Sequence, residues 1–552
     1  LNRRAQAALV LLVVVAYVPA LGNGWIWDDD DYVTENRTLR SLEGLREIWF
    51  EIGAVPQYYP LVHTTFWIEY RLWGDRPFGY HAVNVALHAA NALLAWTLLR
   101  RLGVPGAFWA AALFAVHPVH VESVAWVTER KNVLSTALDL SAFLAWLRFR
   151  PFDAESKGSS RFYAAALLLY LGALFSKTVT ASLPAAILVV TWWKRGRLSR
   201  REVLPTLPMF AIGAGMGLLT VWMERAHVGA AGAHWDLSFF DRLLVASRAI
   251  LFYLGKLVWP HPLAFVYERW DVEAAGWVWK AAPLVLLGAI ALLFASRGRI
   301  GRGPLAAALL FGGTLFPALG FFDVYPMRFS FVADHFQYLA SLSPIAAVAA
   351  FAASRLDARA LSALGTAVVL ALGVLSWKQC SIYENEEVLW RDTAEKVPSA
   401  FIAQNNLGGI LLERGEVAEA RRRFDAALAA EPEYAEAHVN LGLVAEREGR
   451  PDEAAARYRR ALSIDPAFAD AHNNLGIVLA QVGDLEGAIA SFRRAVAHRK
   501  TFAKAHYNLG LALLRAGRAG EAVPPLERAV DLAPEDPDAK KALEQALREG
   551  GG

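Results

Sequence analysis

Four carboxylates follow one another in Trp27-Asp28-Asp29-Asp30-Asp31-Tyr32, directly after an apolar stretch. Like charges crowded together raise one another's pKa, and a carboxylate tuned in this way beside a hydroxyl can act as a general base. Asp28, Asp29 and Asp30 are therefore catalytic candidates, although the same density also suits a solvated acidic loop or a calcium site. A second cluster reads His117-Pro118-Val119-His120-Val121-Glu122 and then Glu129-Arg130-Lys131-Asn132. His-x-x-His-x-Glu could ligate zinc, but no other ligand-rich segment accompanies it, so no metal is expected. Arg130 and Lys131 could hold a phosphate, or simply snorkel to the membrane surface. Lys177 lies between two apolar stretches, where an unpaired charge is costly and marks either a function or a partner. A last group between Asp323 and His335 adds Arg328, Asp334 and His335. The candidates for binding a phosphate or substrate are thus His117, His120, Glu122, Arg130, Lys131, Lys177, Arg328, Asp334 and His335.

The elements that must position these groups are apolar. Hydrophobic residues make up 55% of the chain and charged ones 20%, against roughly 45 to 50% and about 25% in soluble domains, so lipid is the solvent for part of it. Stretches able to cross a bilayer lie near 5–21, 80–100, 105–121, 133–149, 161–176, 178–194, 203–222, 277–296, 304–322, 336–353 and 358–377, about eleven in all. Arg3 and Arg4 precede the first, which reads as an uncleaved anchor rather than a signal peptide cut near Ala20. Basic residues favour cytoplasmic loops, and they recur at Arg100-Arg101, at Arg148/Arg150/Lys157/Arg161, from Lys194 to Arg201, at Arg297/Arg299/Arg302 and at Arg355/Arg359. Segment 243–259 breaks the alternation if it crosses, and is read as re-entrant or buried within an outer loop. The outer loops are then 23–79, 122–132, 177, 223–276 and 323–335, and they carry the acidic, basic and His335 candidates named above, while His117 and His120 stand at the outer end of the stretch 105–121. Within the first, Leu39 to Phe50 and Tyr58 to Trp73 suit the membrane interface. An odd number of spans puts the C-terminus outside the cytoplasm. The net charge of +3 gives no reason to expect nucleic acid, and the single cysteine, Cys380, excludes an internal disulfide.

Residues 399–534 repeat. Asn-Leu-Gly recurs at 406–408, 440–442, 474–476 and 508–510, always 34 apart, which is the period of stacked helix pairs. Gly415, Gly449, Gly483 and Gly517 mark the turn within each pair, and Ala420, Ala454, Ala488 and Ala522 the close approach. Phe424, Tyr458, Phe492 and Leu526 fill the large apolar position, while Pro432, Pro466 and Pro534 close the second helix. Trp390 and Pro398 stand one period earlier, suggesting a half repeat over 381–398, and 535–552 reads as a capping helix and tail. Asn406, Asn440, Asn474 and Asn508 could hydrogen-bond an extended backbone, or recur simply as part of the consensus.

These repeats resemble the tetratricopeptide repeat family. Trp27-Asp28-Asp29, the segment from His117 to Trp126, Ser176-Lys177-Thr178 and Val332-Ala333-Asp334-His335 to Tyr338, followed by the repeats, resemble in their order the transmembrane and tetratricopeptide repeat-containing protein O-mannosyltransferases. The resemblance implies an all-α chain. Residues 1–380 would form a polytopic bundle of the C-type membrane glycosyltransferase fold, with a tetratricopeptide superhelix after it. It also implies transfer of a sugar, mannose in the eukaryotic family, from a polyprenyl-phosphate carrier to Ser or Thr of a protein, with no cofactor. The catalytic base would fall on Asp28 or Asp29, and the repeats would present the acceptor. The implied setting is a bacterial or archaeal cell membrane with the repeats outside the cytoplasm. Two other readings stay open: a non-enzymatic scaffold whose repeats recruit envelope or secretion partners, and a transporter of lipid-linked oligosaccharide.

Overall fold

A computed structural model describes residues 2–152, 159–229, 235–273 and 276–550. Lys157 and the last two residues of the expected tail, Gly551 and Gly552, lie outside them. Among the described residues the chain is helical, with no strand, and it divides into two compact units, Leu1–Asp392 and Thr393–Gly552. The division falls inside the helix Glu386–Lys396, within the segment expected to join the two parts. Trp390 packs in the first unit, with its ring 4.9 Å from that of Trp27 and 5.4 Å from that of Phe265.

The first unit is a membrane domain. Four of its helices are long and apolar enough to cross a bilayer: Pro77–Arg101, Arg200–Val228, Ala282–Ile300 and Ala358–Tyr383. A fifth span results if Ala107–Val116 and Pro118–Ala125, bent by 56°, count as one. Helices of that length therefore do not reach the eleven spans expected. The shortfall has a local cause. Pro118 lies at the bend, and the apolar stretch beginning at 178 opens with an irregular turn, Thr178–Ser182, before Leu183–Arg195 becomes regular. The apolar helices Ser160–Leu174, Gly303–Ala318 and Leu342–Arg355 are likewise too short to count. Arg130–Phe149 has 20 residues but carries four charged ones, Arg130, Lys131, Asp139 and Arg148, and Asp139 interrupts the apolar run expected from 133.

Segment 243–259 lies in a regular helix, Phe239–Val258, started by a reciprocal cap between Ser238 and Asp241. Arg242, Arg248 and Lys256 interrupt its apolar run. Val245, Ala246, Ala249 and Tyr253 form its buried face, while Phe239 and Phe240 are exposed, so it is amphipathic. In the first outer loop the interfacial segments become the helices Leu42–Phe50 and Pro60–Trp73.

The second unit holds four helix pairs, from Phe401–Glu413 with Val417–Ala430 to Ala503–Arg515 with Ala519–Leu532, closed by Pro537–Gly550. The glycine of each Asn-Leu-Gly is where the two helices of a pair come closest. A Cβ on Gly408 would stand 2.7 Å from the Phe424 ring, and one on Gly476 2.7 Å from Phe492. The repeated alanines Ala420, Ala454, Ala488 and Ala522 are fully buried.

Candidate functional site

The acidic run begins after a turn that the fold holds firmly. Trp27 has φ +52°, a left-handed conformation costly for a bulky residue, which persists only where its surroundings fix it. Here the Trp27 N–H donates to Glu386 Oε1 at 3.0 Å, and its ring packs against Trp390. The next four carboxylates then fall into different environments. Asp29 is fully buried and accepts three hydrogen bonds, from Ile26 N at 3.0 Å, Thr128 N at 2.9 Å and Thr128 Oγ1 at 2.7 Å. Its Oδ2 closes the turn on Ile26, and its Oδ1 pins that turn to Thr128. Asp28 is half-buried, and its inner oxygen, Oδ1, has no hydrogen-bond partner. Burial raises Asp28 to about 6; the Lys131 charge opposes that rise and Glu129 adds to it. Burial and the charge of Asp28 raise Asp29 as well, against its three donors. Asp30 is exposed, with Oδ1 accepting from Asp31 N at 2.8 Å.

Glu129, which the sequence offered only as one member of a charged run, is the centre of the second cluster. It is fully buried, with Lys131 Nζ 3.1 Å from Oε1 and Lys177 Nζ 3.1 Å from Oε2. Burial alone would raise its pKa, but His335, Lys131 and Lys177 outweigh that and hold it well below the carboxylate range. Burial would lower Lys131, yet Glu129, Tyr32 and Asp28 keep it well above its ordinary value. For Lys177 burial prevails, and its pKa is lowered despite Glu129. His335 Nε2 stands 3.8 Å from Glu129, while its Nδ1 and its backbone N–H each lie 2.9 Å from an oxygen of Glu122. Tyr267 donates to Asp334 Oδ2 at 2.9 Å. Glu122 thus fixes His335 directly, and Tyr267 anchors the neighbouring Asp334.

Lys131, Lys177, Glu129 and His335 line one polar stretch of a cavity of about 1340 Å³, together with Gln57, Tyr59 and Glu224. Most of the remaining wall is hydrocarbon, including Phe210, Leu218, Ile250, Leu254, Leu286, Ile290 and Phe311. Such a space suits a long apolar chain ending in an anionic head.

Other candidates are occupied elsewhere. Arg130 spends all five donors inside the protein, on Asn84, Thr65, both oxygens of Glu69 and the Tyr80 carbonyl. Fully buried in this ion pair, it is a structural residue and not a phosphate ligand. His117 is held by the Leu257 carbonyl at 3.1 Å, and His120 by the Phe114 carbonyl at 2.8 Å and Ser341 Oγ at 2.7 Å. Neither lines the cavity, because the bend at Pro118 turns both into the helix packing. Arg328 lies beside Tyr325 and Phe329, off the cavity wall. Among the described residues no three His, Cys, Asp or Glu are grouped as a metal would need.

In the repeats, Asn440 donates to Asn405 at 2.9 Å and Asn508 to Asn473 at 2.9 Å. Asn405 and Asn473 donate in turn to Asn406 and Asn474, at 3.2 Å and 3.3 Å. The four recurrent asparagines are half-exposed and tied into short ladders by two asparagines that their 34-residue period does not include.

The family model for the tetratricopeptide repeat matches residues 410–469, 447–501 and 473–537. The Caenorhabditis elegans protein O-mannosyl-transferase F38B6.6 is 25% identical over 452 residues, which cover 78% of this chain and 63% of that protein. Human protein O-mannosyl-transferase TMTC1 is 26% identical over 502 residues, 78% of this chain and 56% of its own. Human TMTC4 is 30% identical over 196 residues, 31% of this chain and 26% of its own. The chain thus spans less than two thirds of the length of these curated relatives. Among solved structures, a MamA protein is 24% identical, covering 27% of this chain and 82% of its own at a TM-score of 0.26. A match over 78% of the chain reaches well beyond the repeats into the membrane domain. The curated homologues of this membrane protein are the TMTC protein O-mannosyl-transferases, the family that its ordered motifs resemble.

Proposed function

We propose that this chain is a membrane glycosyltransferase that moves a sugar, mannose by its resemblance, from a polyprenyl-phosphate carrier to a Ser or Thr hydroxyl of a protein. Transfer takes place on the extracytoplasmic face of a bacterial or archaeal cell membrane, and the repeats, through the faces that carry Asn406, Asn440, Asn474 and Asn508, hold the acceptor. The observation that carries this reading is the apolar cavity whose wall bears Lys131 and Lys177, with Asp28 close enough for its charge to act on Lys131. The prenyl chain lies along the hydrocarbon wall and its phosphate between the two ammonium groups. Asp28 takes the proton of the acceptor hydroxyl as that oxygen bonds to the anomeric carbon. The bond from that carbon to the phosphate oxygen breaks, its electron pair leaving with the phosphate, and the configuration inverts. Lys131 and Lys177 stabilise the charge that develops on the leaving group. Asp29 fixes the turn that aims Asp28, and His335 and Glu129 keep the two lysines in place.

The test is transfer by the purified chain in proteoliposomes supplied with radiolabelled polyprenyl-phosphate sugars and a secreted acceptor protein. Label in the acceptor from the mannose carrier is expected. Absence of label from every sugar, with a correctly folded chain, would overturn the enzymatic reading in favour of a scaffold.

A further inference from the structure

The polar stretch of the cavity has two chemistries. Around Glu129 it is cationic and suits a phosphate. Elsewhere it carries Gln57 and Glu224, an amide and a carboxylate with no ammonium group between them. Glu224 opens a π turn, Glu224–Val228, at the end of the helix Leu207–Met223. The widened turn carries the carboxylate into the wall, where it is buried, and such turns favour functional positions. A carboxylate facing a mostly apolar cavity is costly unless it is bonded. Glu224 is only partly bonded: Oε1 accepts from Gln57 Nε2 at 2.8 Å and Oε2 from Tyr325 N at 2.9 Å. A carboxylate has about four acceptor positions, and an amide nitrogen has two hydrogens, so Glu224 keeps acceptor capacity and Gln57 keeps a donor. Gln57 is itself oriented, because Tyr32 OH donates to its Oε1 at 3.0 Å, and the Tyr32 ring stacks on His63 with centroids 5.1 Å apart. Tyr32 lies in the turn that follows Asp28 and Asp29.

An adjacent fixed acceptor and fixed donor match two neighbouring hydroxyls of a neutral polyol, since each hydroxyl can give one bond and receive another. We propose that Gln57 and Glu224 seat the sugar of the donor and read a pair of neighbouring hydroxyls, apart from the lysines that take its phosphate. This assignment rests on the carrier-lipid reading above and adds where the sugar lies. It makes Gln57 and Glu224 specificity-determining residues.

The test measures binding of two probes to the full chain in nanodiscs, undecaprenyl phosphate and undecaprenyl phosphate mannose, for wild type, Gln57→Leu and Glu224→Gln. The wild type is expected to prefer the mannosylated probe by about tenfold or more, the worth of hydrogen bonds to a charged group. Both variants should lose that preference to within about twofold while binding the bare phosphate as the wild type does. Gln57 is half-buried, so Gln57→Leu keeps the test valid if the Glu224 variant does not fold. Variants that kept the full preference, or that weakened both probes equally, would overturn the sugar assignment alone. A wild type that bound neither probe would overturn the carrier reading and this assignment with it.

Discussion

At the scale of single residues, the account depends on how differently the fold treats adjacent carboxylates. Asp29 is saturated by three donors, while Asp28 keeps an oxygen without a partner and is raised by burial to about 6. A base must be ionised to accept a proton, so transfer should rise with pH through about 6 and level off above it. Asp28→Asn should abolish that dependence and lower the rate by about 10² to 10⁴. Stability should move the other way. A carboxyl raised above its ordinary 3.8 favours the folded state when protonated, and that contribution is lost as pH rises through about 6. Thermal unfolding of Asp28→Asn should therefore match the wild type below about pH 4, exceed it increasingly as the pH rises towards about 6, and keep a constant margin above that. Arg130 provides the contrast. Arg130→Met leaves Glu69 buried without its partner and should destabilise the chain by about 3 to 5 kcal/mol, seen as a lower melting temperature. The variant that still folds should bind the carrier phosphate unchanged. The acidic run was legible as a candidate base from its density alone. The division of labour within it was not, since Asp29 is fixed by Thr128, 99 positions away. Arg130 was misread for the same reason, its partner Glu69 being 61 positions away. Glu129 became recognisable only once Lys177, from a different apolar stretch, was beside it.

At the scale of elements, local signals were read well and long-range ones poorly. The helix pairs of the repeats follow from a 34-residue period that is visible in the chain, because each pair is built from contacts within one repeat. Gly442 shows how tight those contacts are: a Cβ there would run into the Tyr458 ring. Gly442→Ala should cost about 1 to 3 kcal/mol through overpacking, measured as a lower unfolding temperature of the repeat unit in the full chain. The membrane helices were harder to count. Hydropathy detects apolar residues but not the Pro118 bend or the irregular turn at Thr178–Ser182, so stretches of spanning length dissolve into shorter helices. Glu224 escaped notice in the same way. It lies just past an apolar stretch, and only the π turn directs it inward.

At the scale of the whole molecule, a membrane unit with a large, mostly apolar cavity is followed by a unit of tetratricopeptide repeats. If the repeats capture the acceptor, removing 399–548 should weaken transfer to folded or long protein acceptors much more than transfer to a short peptide carrying the same Ser or Thr. Equal loss for both would leave the repeats without a presenting role. The parity of the spans placed the repeats outside the cytoplasm, and that placement now rests on the proposed function rather than on a count of helices. The most direct measurement is a single-turnover assay of the purified full chain in proteoliposomes, following radiolabelled mannose from a polyprenyl-phosphate carrier to an acceptor protein, for the wild type and Asp28→Asn side by side. The account predicts label on Ser or Thr with the wild type and a rate lower by about 100-fold or more with the folded variant. Equal transfer by both would contradict it.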